Sequence, residues 1–64
     1  MTISENIIKK FEDILAREKE ALKLYTQIIG QIQDEFIIAR LEQIKQDEVK
    51  HIQLAQEMLK LIKQ

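Results

Sequence analysis

Glu48-Val49-Lys50-His51 sets a carboxylate and an imidazole three residues apart in a run of helix-forming residues, so both side chains emerge on one helix face, a turn apart. Glu18 is a third polar residue interrupting an otherwise apolar stripe. An ionised carboxylate in an apolar interior is costly unless it protonates or meets a counter-charge, and the stripe offers no Lys or Arg beside these three. A metal ion is the natural counter-charge. Carboxylates and imidazole suit Fe(II), Mn(II) or Zn(II), with zinc preferred on affinity alone. Iron is the expected metal, because bridging carboxylates can hold two ions close enough for O2 or peroxide to take electrons from both. Glu18, Glu48 and His51 are thus the candidate ligands and catalytic residues. A bare E-x-x-H is frequent on Glu-rich helices; the weight rests on its seam position opposite Glu18.

The elements that must position these residues are two helices. Ile7, Phe11, Ile14, Ala21, Tyr25, Ile28 and Ile32 recur at steps of three and four except across position 18, and Ile8, Leu15, Leu22 and Ile29 widen the stripe. The second run carries Ile37, Leu41, Ile44, Ala55, Met58 and Ile62, flanked by Ile38, Ile52 and Leu59, with Glu48 and His51 on the same rhythm. Thr2 or Ser4 is the expected first N-cap, Thr2 with Glu5 also fitting a capping box. Gly30, the only glycine, marks the expected exit from the first helix, and Asp34 the cap of the second. The chain is read as one all-α domain over 1–64: helix 1 about 3–30, turn about 31–34, helix 2 about 35–63. Residues facing each other across a tight antiparallel hairpin have numbers summing to twice the turn centre. Glu18 and Glu48 centre on position 33, so the two polar gaps meet. No linker, internal repeat or low-complexity segment is expected.

Composition excludes several classes. Sixty-four residues form at most one small domain, which usually needs a disulfide, a metal or a partner subunit. With no cysteine, disulfides are excluded, in keeping with a reducing cytoplasm. The net charge of -1, with both signs interspersed, gives no basic face for nucleic acid or an anionic membrane. No apolar run spans a bilayer, and the first residues lack the pattern of a signal peptide.

Di-iron carboxylate bundles use one Glu from each of two helices and a Glu-x-x-His from each of the other two. This chain holds half of that set. Two copies related by a twofold axis complete it, giving four carboxylates to balance two divalent cations, with neutral His51 as the nitrogen ligand, and they cover apolar faces that a lone hairpin leaves wet. The expected assembly is therefore a homodimer, a hairpin doubled into a four-helix bundle.

Glu18 with Ala21 and Tyr25, an E-x-x-A-x-x-x-Y signature, followed by Asp47-Glu48-Val49-Lys50-His51, resembles the ferritin-like group of rubrerythrins, bacterioferritins and encapsulated ferritins. The likeness covers nearly the whole chain as one half-bundle and is nearest to the encapsulated ferritins, whose two-helix subunits build a di-iron site across a dimer interface. The resemblance implies ferroxidase activity in iron storage or detoxification, two Fe per dimer, Glu18, Glu48 and His51 as iron ligands, higher oligomers, and a place in the cytoplasm or inside an encapsulin shell.

Other residues are read more modestly. Tyr25, two turns beyond Glu18, is a candidate for a hydrogen bond or electron donation toward the metal level, against plain core packing. Asp47 is a candidate acceptor for the second nitrogen of a neighbouring helix's His51, against a solvated charge. Glu20 reads as solvated, Lys60 and Lys63 as complements to the helix dipole, and Met58 as core, so no haem is expected. Two other functions stay open: a metal-independent helical dimerisation module that uses the polar layer for specificity, and rubrerythrin-like peroxide reduction, for which the chain has no cysteine to build an iron-thiolate partner centre.

Overall fold

The computed structural model describes residues 4–64. They form α1 (Glu5–Gln31) and α2 (Glu35–Ile62), connected by 32–34, with no strand among the described residues. A connection this short folds α2 back against α1, and the extents of 50 × 14 × 10 Å are those of a single two-helix layer.

Each helix starts where a side chain can accept from its unpaired amides. Ser4 Oγ accepts from Ile7 N at 3.3 Å. Asp34 Oδ1 accepts from Phe36 N and Ile37 N at 2.9 and 3.1 Å. Glu5 and Glu35 occupy the first turns and Lys60 the last turn of α2, each favourable to the helix dipole. The proposed Thr2 cap and capping box lie outside the described residues. Gly30 does not end α1: the helix continues through Gln31 and stops at Ile32, in extended geometry (φ -102, ψ 140). No described residue has positive φ, so the exit needs no left-handed glycine, and Gly30 is an ordinary helical position.

The apolar arc of each helix divides into parallel columns of seven-residue period. The columns turned toward the other helix include the ones read from sequence as flanks, Ile8, Leu15, Leu22 and Ile29 on α1 and Ile38, Ile52 and Leu59 on α2, with Lys45, not read as a flank, completing the second; all are at least half-buried. The two buried side chains among the described residues, Ile52 at 8% and Leu59 at 7% exposure, both come from that edge. The expected main stripe divides: Phe11, Ala21 and Tyr25 of α1, its C-cap Ile32, and Leu41, Ala55 and Ile62 of α2 are half-buried, while Ile7, Ile14 and Ile28 of α1 and Ile37, Ile44 and Met58 of α2 are exposed. A two-helix layer covers only the side of each helix that meets the other, and the exposed residues lie on the remaining face. The accessible surface is 5399 Å², against about 4,300 Å² for a compact monomer of this mass.

Aligning the helices on their caps reveals a correspondence that the linear sequence hides. A shift of thirty positions carries Ser4 onto Asp34, Ile7 and Ile8 onto Ile37 and Ile38, Ile14 onto Ile44, Glu18 onto Glu48, Leu24 onto Leu54 and Ile32 onto Ile62. The two helices thus share a seam pattern. It breaks at the site, where Ala21 stands in the place that His51 holds on α2, and one turn before Glu48, where Lys45 takes the place of Leu15.

Candidate metal centre

Glu18 lies at the middle of α1 and Glu48 at the middle of α2. Antiparallel pairing about the turn brings them to one level, and the E-x-x-H spacing adds His51 one turn further along the same side of α2. Each of the three offers a ligand atom, all within 4.8 Å of one another. Glu18 Oε2 and His51 Nδ1 are 3.9 Å apart, too far for a hydrogen bond. Two metal–ligand bonds of about 2.1 Å span at most about 4.2 Å, so the spacing of that pair is one that two ligands of a single ion could take.

Burial is graded across the cluster. The Glu18 side chain is 26% exposed and that of His51 60%, with Glu48 half-buried between them. Glu18 Oε2 is itself buried and has no hydrogen-bond partner. A carboxylate oxygen kept from water without a donor is under-satisfied, which a cation or a proton relieves. Glu48 responds to the same pressure. Hydrogen bonding with the Glu18 carboxylate, partial burial and Glu18's negative charge raise its pKa above the ordinary carboxylate value, while His51 pulls it part of the way back.

An open hollow of about 300 Å³ reaches this level, lined by Ile14, Arg17, Glu18, Ala21 and Glu48. Arg17 is the residue that sequence reasoning missed. The seam was expected to carry no Lys or Arg beside the ligands, yet Arg17 borders the hollow and Lys45 is half-buried one turn before Glu48. Neither forms an ion pair with Glu18 or Glu48 among the described contacts. The available signal was adjacency: Arg17 precedes Glu18 and stands one turn from Ala21 on the edge of the open face.

The remaining candidates lie apart. Tyr25 is half-buried in the seam, and no hydrogen bond among the described residues links it to Glu18, Glu48 or His51. Asp47 is exposed and lines a different hollow of about 460 Å³ with Arg40, Gln43 and Ile44. It does not meet the His51 of its own chain. No helix among the described residues is long and apolar enough to cross a membrane.

Comparison with protein-family models, curated proteins and solved structures gave no match. Function is therefore read from the geometry of the cluster and the face that surrounds it.

Proposed function

We propose that the chain is a ferroxidase: two copies pair through their open faces, bind Fe(II) as substrate between Glu18, Glu48 and His51 of both, and oxidise it with O2 for iron storage or detoxification. The observation that carries this reading is the convergence of two carboxylates and an imidazole within 4.8 Å, with a buried Glu18 oxygen lacking any partner. A structural polar layer would be expected to satisfy its own hydrogen bonds.

The chain's residues divide the work. Doubling the cluster gives four carboxylates and two imidazoles, matching the ligand set of carboxylate-bridged di-iron bundles and the charge of two divalent ions. Because the pKa of Glu48 is raised, Fe(II) competes with a proton there as pH falls, so loading weakens in acid. His51, as a neutral donor, adds affinity without adding charge. The flanking apolar residues exclude water and hold the ligands by packing, while the redox chemistry belongs to iron. Mn(II) and Zn(II) fit the same donors and would compete without the same turnover.

The test is an anaerobic Fe(II) titration of the purified chain with mass followed by light scattering. The expected result is one iron per chain with dimer or larger assembly, followed by O2 consumption, and loss of uptake in Glu48→Ala. Full uptake in Glu48→Ala removes the assignment. A stable dimer that takes up no iron makes the cluster a specificity layer and the chain a dimerisation module. Faster turnover with H2O2 than with O2 moves the reaction to peroxide reduction.

A further inference from the structure

One side chain of the open face carries chemistry that the metal cluster does not use. The open column of α2 runs Ile37, Ile44, His51, Met58, and its counterpart on α1 runs Ile7, Ile14, Ala21, Ile28. The shift of thirty positions carries Ile28 onto Met58. Isoleucine fills the matching place on α1, so the apolar character of the face does not by itself call for a thioether.

Met58 is 43% exposed in the single hairpin, within reach of a small oxidant. The chain has no cysteine and no tryptophan, and Met58 is the only methionine among the described residues. Its sulfur is therefore the one atom among them that a two-electron oxidant attacks readily. The positions three and four residues away are Leu54, Ala55, Leu61 and Ile62, and Leu54 and Leu61 are 57% and 61% exposed. No Lys or Arg stands on the open column of either helix, and His51 lies about 10 Å away along the axis. A thioether is at home in such a patch. A sulfoxide is not, because its oxygen is a strong acceptor and no donor stands on that column within reach.

We propose that Met58 is a peroxide-sensitive modification site: oxidation of its sulfur puts a polar group on the open face and keeps the hairpin from pairing with a second copy. The step is a two-electron oxygen transfer. The Met58 sulfur attacks one oxygen of H2O2, the O–O bond breaks, the sulfur keeps that oxygen as the sulfoxide, and the other oxygen leaves as water with both protons. The thioether is oxidised and the peroxide reduced. This rests on the dimer of the proposed function but not on its metal. Pairing covers the sulfur, so oxidation runs through the unpaired hairpin: assembled copies are spared and free copies are withheld. A cluster completed by two copies is withheld with them, until a sulfoxide reductase restores the thioether.

The test treats the purified, metal-free chain with dilute H2O2. Peptide mass spectrometry separates Met58 from Met1, and sedimentation equilibrium gives the dimer dissociation constant. The expected result is one added oxygen at Met58 and a constant raised about 30-fold or more, since a twofold interface would bury the sulfoxide twice, with recovery after methionine sulfoxide reductases for both epimers. Met58→Leu, close in volume, and Met58→Ile, the residue of the α1 counterpart, are expected to pair before treatment and to keep their constants through it. The oxidation rate is expected to fall as chain concentration rises.

Complete oxidation of Met58 with an unchanged dissociation constant overturns the proposal. So does equal dissociation of Met58→Leu under peroxide, which assigns the effect to another residue. An oxidation rate that stays constant while light scattering shows the chain passing from monomer to dimer overturns it too, because the sulfur is then outside the interface. Peroxide-controlled pairing in a chain that takes up no Fe(II) supports this site and removes the ferroxidase; iron uptake by a dimer indifferent to Met58 oxidation does the reverse. A chain that stays monomeric at all concentrations overturns both.

Discussion

Substituting Ile44 by Ser tests whether the open face is an interface, with little disturbance of the helix that carries it, because Ser and Ile have similar helix propensities. Ile44 is 43% exposed in the single hairpin. Complete burial of an Ile side chain is worth about 1.5–3 kcal/mol, so covering the exposed 43% stabilises a dimer by about 0.6–1.3 kcal/mol per copy. A twofold interface counts it twice, so Ile44→Ser should weaken dimerisation by about 1.3–2.6 kcal/mol, a dissociation constant about 10- to 80-fold higher. The assay is sedimentation equilibrium over a dilution series, with far-ultraviolet circular dichroism at each concentration to separate dissociation from unfolding. The same substitution at a solvated position would leave the constant unchanged within about twofold. A dissociation constant for Ile44→Ser within that range of the unsubstituted chain would refute the assignment of this face to a partner, and with it the shared metal site.

Two further outcomes follow from the structure. Gly30 is helical, and a Cβ added there meets nothing within 4 Å, so Gly30→Ala should stabilise the chain by about 0.5–1 kcal/mol, raising Tm by about 2–8 °C in thermal unfolding; a lower Tm would mean that another chain occupies that space. Because the folded-state pKa of Glu48 is raised, chiefly through Glu18, the metal-free fold binds that proton more tightly than the unfolded chain does, so this contribution to stability is full at acidic pH and is lost as pH rises through the raised pKa. Metal binding competes with the same proton, so Fe(II) affinity should grow with pH across that window, and Glu18→Gln should lower the Glu48 titration midpoint toward the ordinary carboxylate value by side-chain NMR.

The features legible in the sequence were those fixed by short-range chemistry. Asp34 is a cap because its carboxylate reaches amides two and three residues on, and the level shared by Glu18 and Glu48 follows from a tight turn and a constant rise per residue. The hidden features depend on what lies across from a helix. Periodicity gives the width of an apolar arc but not which half the hairpin takes; that Ile52 and Leu59 turn inward while Ile37 and Ile44 stay open is decided by the rotation of each helix about its axis. Gly30 marked the neighbourhood of the exit, since α1 ends one residue later at Gln31, but the exit does not use a left-handed glycine. Arg17 was overlooked because it sits at the edge of the stripe, where a long side chain can still reach the ligands' level.

The placement of Glu18 and Glu48 at the centres of α1 and α2 separates the length of this molecule from its chemistry. Each carboxylate is flanked on both sides by about three and a half helical turns, so fraying, which is confined to the outermost turn or two, does not reach the ligands. Matched pairs of heptads added to or removed from the open ends of the helices, or on both sides of the turn, would preserve column register and leave the cluster's geometry untouched. Selection or a designer can therefore adjust overall stability by extending the hairpin in seven-residue steps, with no retuning of the centre.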